Sequence, residues 1–453
     1  MKHLTIFLFS FALTLFSIGQ PTSKTVRLIT LDPGHFHAAL LQKTMYQDVD
    51  SVVHVYAPEG NDLKLHLDRI NAYNTRAENP TSWKEQVYTG EDFFEKMIAE
   101  KKGNVVVLSG NNLKKTEYIL KSLQGGLNVL ADKPMAINTQ NLAMLKQAFE
   151  TAKKNNVVLY DIMTERFEIT TVLQKELSRL TNVFGALQKG TAANPAVTKE
   201  SVHYFYKNVS GNILTRPFWF MDVSQQGEGI VDVTTHLVDL VQWACFPEQV
   251  IDYSKDIQMV AAKRWTTPMR LNQFTAITRA AAFPDYLQKD ITSDTVLNVY
   301  SNGEINYKLK GVHVKVSVVW NYQAEPGAGD THNSIMRGTK ANLVIRQTAG
   351  QQYKPVLYIE PLTNNANFRS ALMQQFKAIT AKYPGVELKP SKAGWEVVIP
   401  DQYKEGHEEH FARVAKKYLE YLRNKNMPAW EVPNMLAKYY TTTKALELAK
   451  QQQ

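Results

Sequence analysis

Short apolar runs alternate with helix-length polar stretches over the first third of the chain. Segments 25–31, 51–56, 105–108 and 157–160 each read as a strand of four to seven residues. The stretch 127–136, L-N-V-L-A-D-K-P-M-A, reads as a further strand that runs into Asp132-Lys133-Pro134 ahead of a helix over 140–154. Other helices are predicted to start near Ala38 and to span 117–123, the latter stopped by Gln124-Gly125-Gly126. This alternation predicts a Rossmann-like, doubly wound parallel sheet over 25–160.

From Asp161 the texture changes. A helix is expected over about 170–180, and beyond Gly185 come alternating segments rich in Tyr, Val and Thr: 201–206, 250–260, 292–300, 304–309, 312–320 and 342–347. They predict a mainly antiparallel open sheet in an α+β substrate-binding domain over 161–365. One helix, 229–244, stands inside it. Residues 366–453 return to helix, with 367–383 and 407–424 on either side of a loop containing Trp395. They read as a C-terminal helical extension packed on both domains, with His407 and His410 facing solvent.

The first twenty residues lie outside this pattern. Lys2 precedes an apolar run over 4–18, and Ser17-Ile18-Gly19 offers small residues before a cut near Gly19 or Gln20. The run is shorter than the roughly 20 residues a spanning helix needs. Segment 1–20 is therefore read as a signal peptide, and the mature chain is expected in the bacterial periplasm without a stable membrane anchor. With Cys245 as the sole cysteine, no intrachain disulfide can form. The net charge of +9 is diffuse rather than gathered into a basic stripe, so nucleic acid is not an expected partner.

Chemistry concentrates at strand ends. Lys133, followed by a proline that biases it towards extended backbone, stands where open α/β sheets place their ligands. The turn after the first strand reads Asp32-Pro33-Gly34-His35-Phe36-His37 and keeps only Gly34 of the phosphate-binding pattern G-x-G-x-x-G. His35 and His37 could donate to a phosphate or sugar in place of the missing backbone contacts, or simply fill the turn. A metal held with Asp32 is set aside, for want of a cysteine or third ligand nearby. Glu59, with Asp62 as competitor, occupies the edge that binds adenosine ribose hydroxyls, and Ser109, Asn111 and Asn112 could border a nicotinamide or ribose. On the 229–244 helix Asp232 and His236 lie four apart and Asp239 three further, behind a pliant Gly227-Glu228-Gly229 loop. A carboxylate beside an imidazole suits a general base, although such a pair is also a common polar stripe.

Together these features resemble the Gfo/Idh/MocA family of oxidoreductases from Val26 to about Leu448. Asp132-Lys133-Pro134 is similar to the family's Glu-Lys-Pro motif, and Asp232 and His236 match its Asp and His four residues apart, with Thr234 at the usual glycine. The resemblance implies NAD(P)-dependent oxidation of a secondary hydroxyl of a sugar, polyol or glycoside. His236 would remove the proton with Asp232 orienting its ring, Lys133 would polarise the oxygen, and Arg166, Asp232 and His236 would bind the substrate. The cofactor would contact Gly34, His35, Phe36, His37, Glu59, Ser109, Asn111, Asn112, Asp132 and Lys133. NAD is expected, with NADP as alternative. Soluble NAD is scarce outside the cytoplasm, so the cofactor would be held tightly, and a redox-neutral glycosidase or lyase is the second reading. A cofactor-free sugar-binding protein is the third. The sheet of the second domain is the surface expected for any self-association.

Overall fold

The structure is a computed structural model that describes residues 25–209, 212–293 and 295–452. The expected signal peptide and its cut lie outside the described residues. Six parallel strands form the first sheet: β1 (Leu28–Leu31), β2 (Val52–Tyr56), β3 (Lys84–Tyr88), β4 (Val105–Leu108), β5 (Asn128–Asp132) and β6 (Leu159–Ile162). Their order is β3-β2-β1-β4-β5-β6. Every residue of β1, β4 and β6 is buried, because a parallel sheet is covered on both faces. β3 is a mostly solvent-exposed edge strand with the sequence K-E-Q-V-Y, so its hydrophobic period carries no signal. It and the flanking helices Asn61–Thr75 and Phe93–Glu100 occupy what reads in sequence as an undivided charged segment. The strand order reverses between β1 and β4, so the carboxyl ends of β1, β4 and β5 open on one crevice.

The second sheet has ten strands and is mainly antiparallel. Val197–Tyr206 lies near its middle, parallel to Val312–Gln323 and antiparallel to Thr331–Arg337. Two of its strands fall where the sequence suggests a loop between helices. Glu387–Ser391 and Gly394–Val398 form a hairpin that pairs with Val356–Pro361, and Trp395 lies buried opposite Ile359. The hairpin is hard to see because Glu387–Ser391 is largely exposed and contains a proline.

Two long helices follow, His407–Asn424 and Glu431–Gln451. Phe411, Val414, Tyr418 and Tyr421 of the first join the core of the parallel sheet. The terminal helix serves both cores: Met435 and Tyr439 pack with the first, Ala437, Ala445 and Leu446 with the second. His410 is buried on the face that carries Phe411 and Val414, contrary to the expectation that it faces solvent, whereas the His407 side chain is 42% exposed.

Where the two sheets and the terminal helix meet, buried charges neutralise one another. Lys438 Nζ lies 2.7 Å from Asp161 at the end of β6 and 2.9 Å from Asp239. Arg166 grips Asp239 through two 2.7 Å bonds and reaches Glu431 at 3.0 Å. With Nε, Nη1 and Nη2 all bonded to carboxylates, Arg166 is a structural clamp and has no free edge for substrate; Asp239, likewise, is committed to two cations.

Candidate functional site

β5 ends at Asp132, and the crevice is built around that residue. Its carboxylate is buried; Oδ1 accepts the Lys133 N–H at 2.9 Å, and Oδ2 accepts the Ser109 hydroxyl at 3.0 Å and faces His37 Nδ1 at 2.9 Å. His35 Nδ1 points at the same oxygen from 3.5 Å. Lys115, also buried, donates to the Asp132 carbonyl at 3.2 Å. The next peptide, Lys133-Pro134, is cis. Lys133 Nζ crosses to the second domain and pairs with Asp232 Oδ1 at 2.5 Å, while Gln226 Nε2 donates to Asp232 Oδ2 at 3.0 Å.

The expected Asp232–His236 partnership is not formed. The helix runs Thr234–Cys245, so Asp232 sits in the turn before it and turns its carboxylate to Lys133 and Gln226. His236 keeps a buried Nδ1 with no hydrogen-bond partner. Burial and the Lys133 cation push its imidazolium down to about 3, against the pull of Glu165. Glu165 is the carboxylate whose charge raises the proton affinity of His236, and its Oε1 lies 3.5 Å from His407 Nδ1. Burial would raise the Glu165 carboxyl, but the contact with His407 holds it well below the usual range. The Gly227-Glu228-Gly229 segment is not pliant either. A Cβ on Gly229 would stand 1.7 Å from the Ser301 carbonyl oxygen, and Glu228 is tied to Arg264 at 2.8 Å.

A crevice of about 280 Å³ runs outward from β1 and β2 between Asp32, Glu59, Asp62, Trp219 and Tyr286. Glu59 is exposed at its rim. Nearer the sheet, Trp219 from the second domain donates its indole N–H to Asp62 at 2.7 Å and lies on Gly34 so closely that a Cβ there would meet its ring at 2.9 Å. The His35 N–H, which a phosphate would need, already donates to the Ser109 carbonyl at 3.1 Å. Asp32, at the position of the first glycine, is pushed up to about 6 by burial and by Asp62. The outer crevice would thus offer Glu59 to an adenosine ribose, while Trp219 covers Gly34, where the pyrophosphate of a dinucleotide would have to approach. The Asn111 and Asn112 amides donate to Gln225 Oε1 and the Gln226 carbonyl, both at 2.7 Å, and tie the turn after β4 to the segment that leads to Asp232.

Several polar groups here have no sequence-level signature. His203 and Lys207 converge on Asp330 at 3.0 and 2.6 Å, and burial pushes His332 down to about 3. Arg216 is buried against Phe220 and Trp320 and donates to the Phe205 carbonyl at 3.0 Å. These come from a strand, a turn and a neighbouring strand far apart in the chain, and only the sheet's cross-strand register unites them.

Residues 34–161 match the family model described as "Oxidoreductase family, NAD-binding Rossmann fold", and 173–450 match "Putative oxidoreductase C terminal domain". A "putative oxidoreductase" structure from Parabacteroides merdae ATCC 43184 is 56% identical, covers 95% of this chain and 99% of its own, and superposes with a TM-score of 0.93. Levoglucosan dehydrogenase in complex with NADH and levoglucosan shares the fold at 11% identity and TM-score 0.59, covering 94% and 98% of the two chains. A "putative myo-inositol dehydrogenase" from Sinorhizobium meliloti 1021 does so at 12% identity and TM-score 0.53, covering 95% and 98%. No curated protein gives a significant match.

Proposed function

This chain belongs to the Gfo/Idh/MocA family of oxidoreductases, and on that premise we propose that it acts on a secondary hydroxyl of a sugar, polyol or glycoside with NAD as the nucleotide. The observation that carries the reading is the Lys133–Asp232 pair at the carboxyl edge of the parallel sheet, with the His236 ring near enough for the Lys133 cation to lower its proton affinity. Lys133 stabilises negative charge developing on the substrate oxygen, a role that a single positioned donor fills at about 3–4 kcal/mol of barrier. Asp232 holds that ammonium in place. His236 enters with a free lone pair, and because its proton affinity is low it takes the hydroxyl proton only as hydride departs and that proton becomes acidic; the Glu165 charge favours the imidazolium that results. When bound, the nicotinamide supplies the hydride acceptor for the carbon that carries the hydroxyl. The sugar and inositol dehydrogenases among the structural neighbours support a carbohydrate substrate.

Glu59 favours NAD over NADP, because a carboxylate at the ribose edge repels a 2′-phosphate. The expected signal peptide favours a nucleotide that stays bound between turnovers, because soluble NAD is scarce outside the cytoplasm. A retained nucleotide must be restored within each cycle, so the redox-neutral reading, transient oxidation that loosens a glycosidic bond, keeps its place as the second proposal. The test is to denature purified protein, assay the supernatant for nicotinamide dinucleotide, and search a glycoside panel for carbonyl products by mass spectrometry. Bound dinucleotide with a keto-sugar supports oxidation, and cleaved glycoside with no net change in nicotinamide supports the second reading. Protein that neither carries nor binds dinucleotide overturns both.

A further inference from the structure

We propose that His35, His37 and Asp132 form a binding site for a divalent first-row transition-metal ion, with zinc as the reference ion. Their ligand atoms, two imidazole Nδ1 and one carboxylate Oδ2, lie within 4.8 Å of one another. Around a tetrahedral ion with bonds of about 2.0–2.1 Å, neighbouring ligand atoms stand roughly 3.3 Å apart. The two separations from Asp132 Oδ2, 2.9 Å to His37 and 3.5 Å to His35, bracket that edge.

Hydrogen bonding alone accounts poorly for the arrangement. Asp132 Oδ2 already takes the Ser109 hydroxyl and faces His37 Nδ1, which uses both of its lone pairs. His35 Nδ1 is left against the same oxygen, closed off from solvent and with no hydrogen bond. An unpaired buried nitrogen of this kind costs about 1–3 kcal/mol, and an ion among the three atoms would satisfy it. Two histidines and one carboxylate are a normal open metal set, leaving a position for water or a substrate oxygen.

The supporting groups are those such a site needs. Asp132 is oriented by the Lys133 N–H on its other oxygen and by Ser109, and outer contacts of this sort fix ligand geometry. The His35 backbone is pinned to the Ser109 carbonyl, so the turn after β1 and the end of β4 are held together. The site also gives the altered first turn a chemical purpose. Imidazoles at positions 35 and 37 are a poor choice for a turn that only has to approach a phosphate, and a good one for a turn that carries ligands.

The experiment uses full-length protein stripped with chelator and titrated calorimetrically with zinc, without substrate or nucleotide. Cobalt is used in parallel, because its visible absorption reports a tetrahedral site. The expected result is a single ion per chain, with affinity falling by roughly two orders of magnitude or more in His35→Gln and in His37→Gln and unchanged in His54→Gln. Circular dichroism checks that each variant is folded; should His37→Gln unfold, the partly exposed His35 gives the deciding variant. No stoichiometric zinc in the wild type, or undiminished binding and cobalt absorption in folded His35→Gln, overturns the proposal. The readout is bound metal, so that outcome leaves the hydroxyl chemistry proposed for Lys133 and His236 untouched.

Discussion

Lys133 and Asp232, 99 residues apart in the chain, form a 2.5 Å ion pair that joins the end of the parallel sheet to the second domain. Both side chains are about nine-tenths buried. The pair is thus an element of stability as well as a candidate for chemistry.

Lys133→Met should accordingly lose turnover by about two orders of magnitude or more and also lower stability, because it leaves the buried Asp232 carboxylate with Gln226 alone. The expected cost in denaturant unfolding is about 3–5 kcal/mol. Lys133→Met/Asp232→Asn should recover part of that stability and none of the turnover. Additive effects on stability would show that the pair is not coupled.

Arg166→Met tests the clamp at the three-way joint. Removing the guanidinium takes the cation from the buried Glu431 and leaves Asp239 with Lys438 alone, and the chain should lose about 3–5 kcal/mol. Folded protein with unchanged stability and a raised KM would instead return Arg166 to the substrate site.

The strands of the first sheet were legible because buried parallel strands are continuous apolar runs, and Lys133 was legible because it ends one of them. β3 and the Glu387–Ser391 hairpin were not, since both are edge features with polar outward residues. Spacing singles out Asp232 and His236, but it cannot say that the helix starts only at Thr234 and leaves Asp232 in a turn facing Lys133. Arg166 shows the converse limit: a buried arginine near a site reads the same in sequence whether its guanidinium meets a ligand or two carboxylates. Asp132 reads as a cofactor contact, but the convergence on it of His35 and His37, from the turn after β1, depends on β4 lying between β1 and β5.

Trp219→Ala should open the crevice over Gly34. If the indole must lift for a dinucleotide to enter, NAD should bind this variant roughly 10-fold or more tighter, or exchange faster, than the wild type, as removal of a closed competing state requires. Weaker binding in calorimetry would make Trp219 a contact for the nucleotide rather than its competitor.

Asp32→Asn carries a pH signature. The carboxyl is pushed up to about 6 from 3.8, so between those values the folded chain holds its proton more firmly than the unfolded chain. That contribution to stability is fully present below about pH 4 and is lost as the pH rises through 6. The amide cannot ionise, so the variant should match the wild type in acid and exceed it by about 1–3 kcal/mol at pH 8. A positive φ of 48° at this position is well suited to asparagine. An equal gain at every pH would assign the effect to backbone conformation.

The most direct test of the account is nicotinamide reduction in a single turnover. Wild-type protein loaded with NAD is mixed with a panel of sugars, polyols and glycosides while the absorbance of reduced nicotinamide is followed, beside His236→Asn and Lys133→Met. The account predicts a rapid rise with at least one carbohydrate in the wild type, slowed by about two orders of magnitude or more in each variant although both still bind the nucleotide. Reduction at the wild-type rate in His236→Asn and Lys133→Met would contradict it.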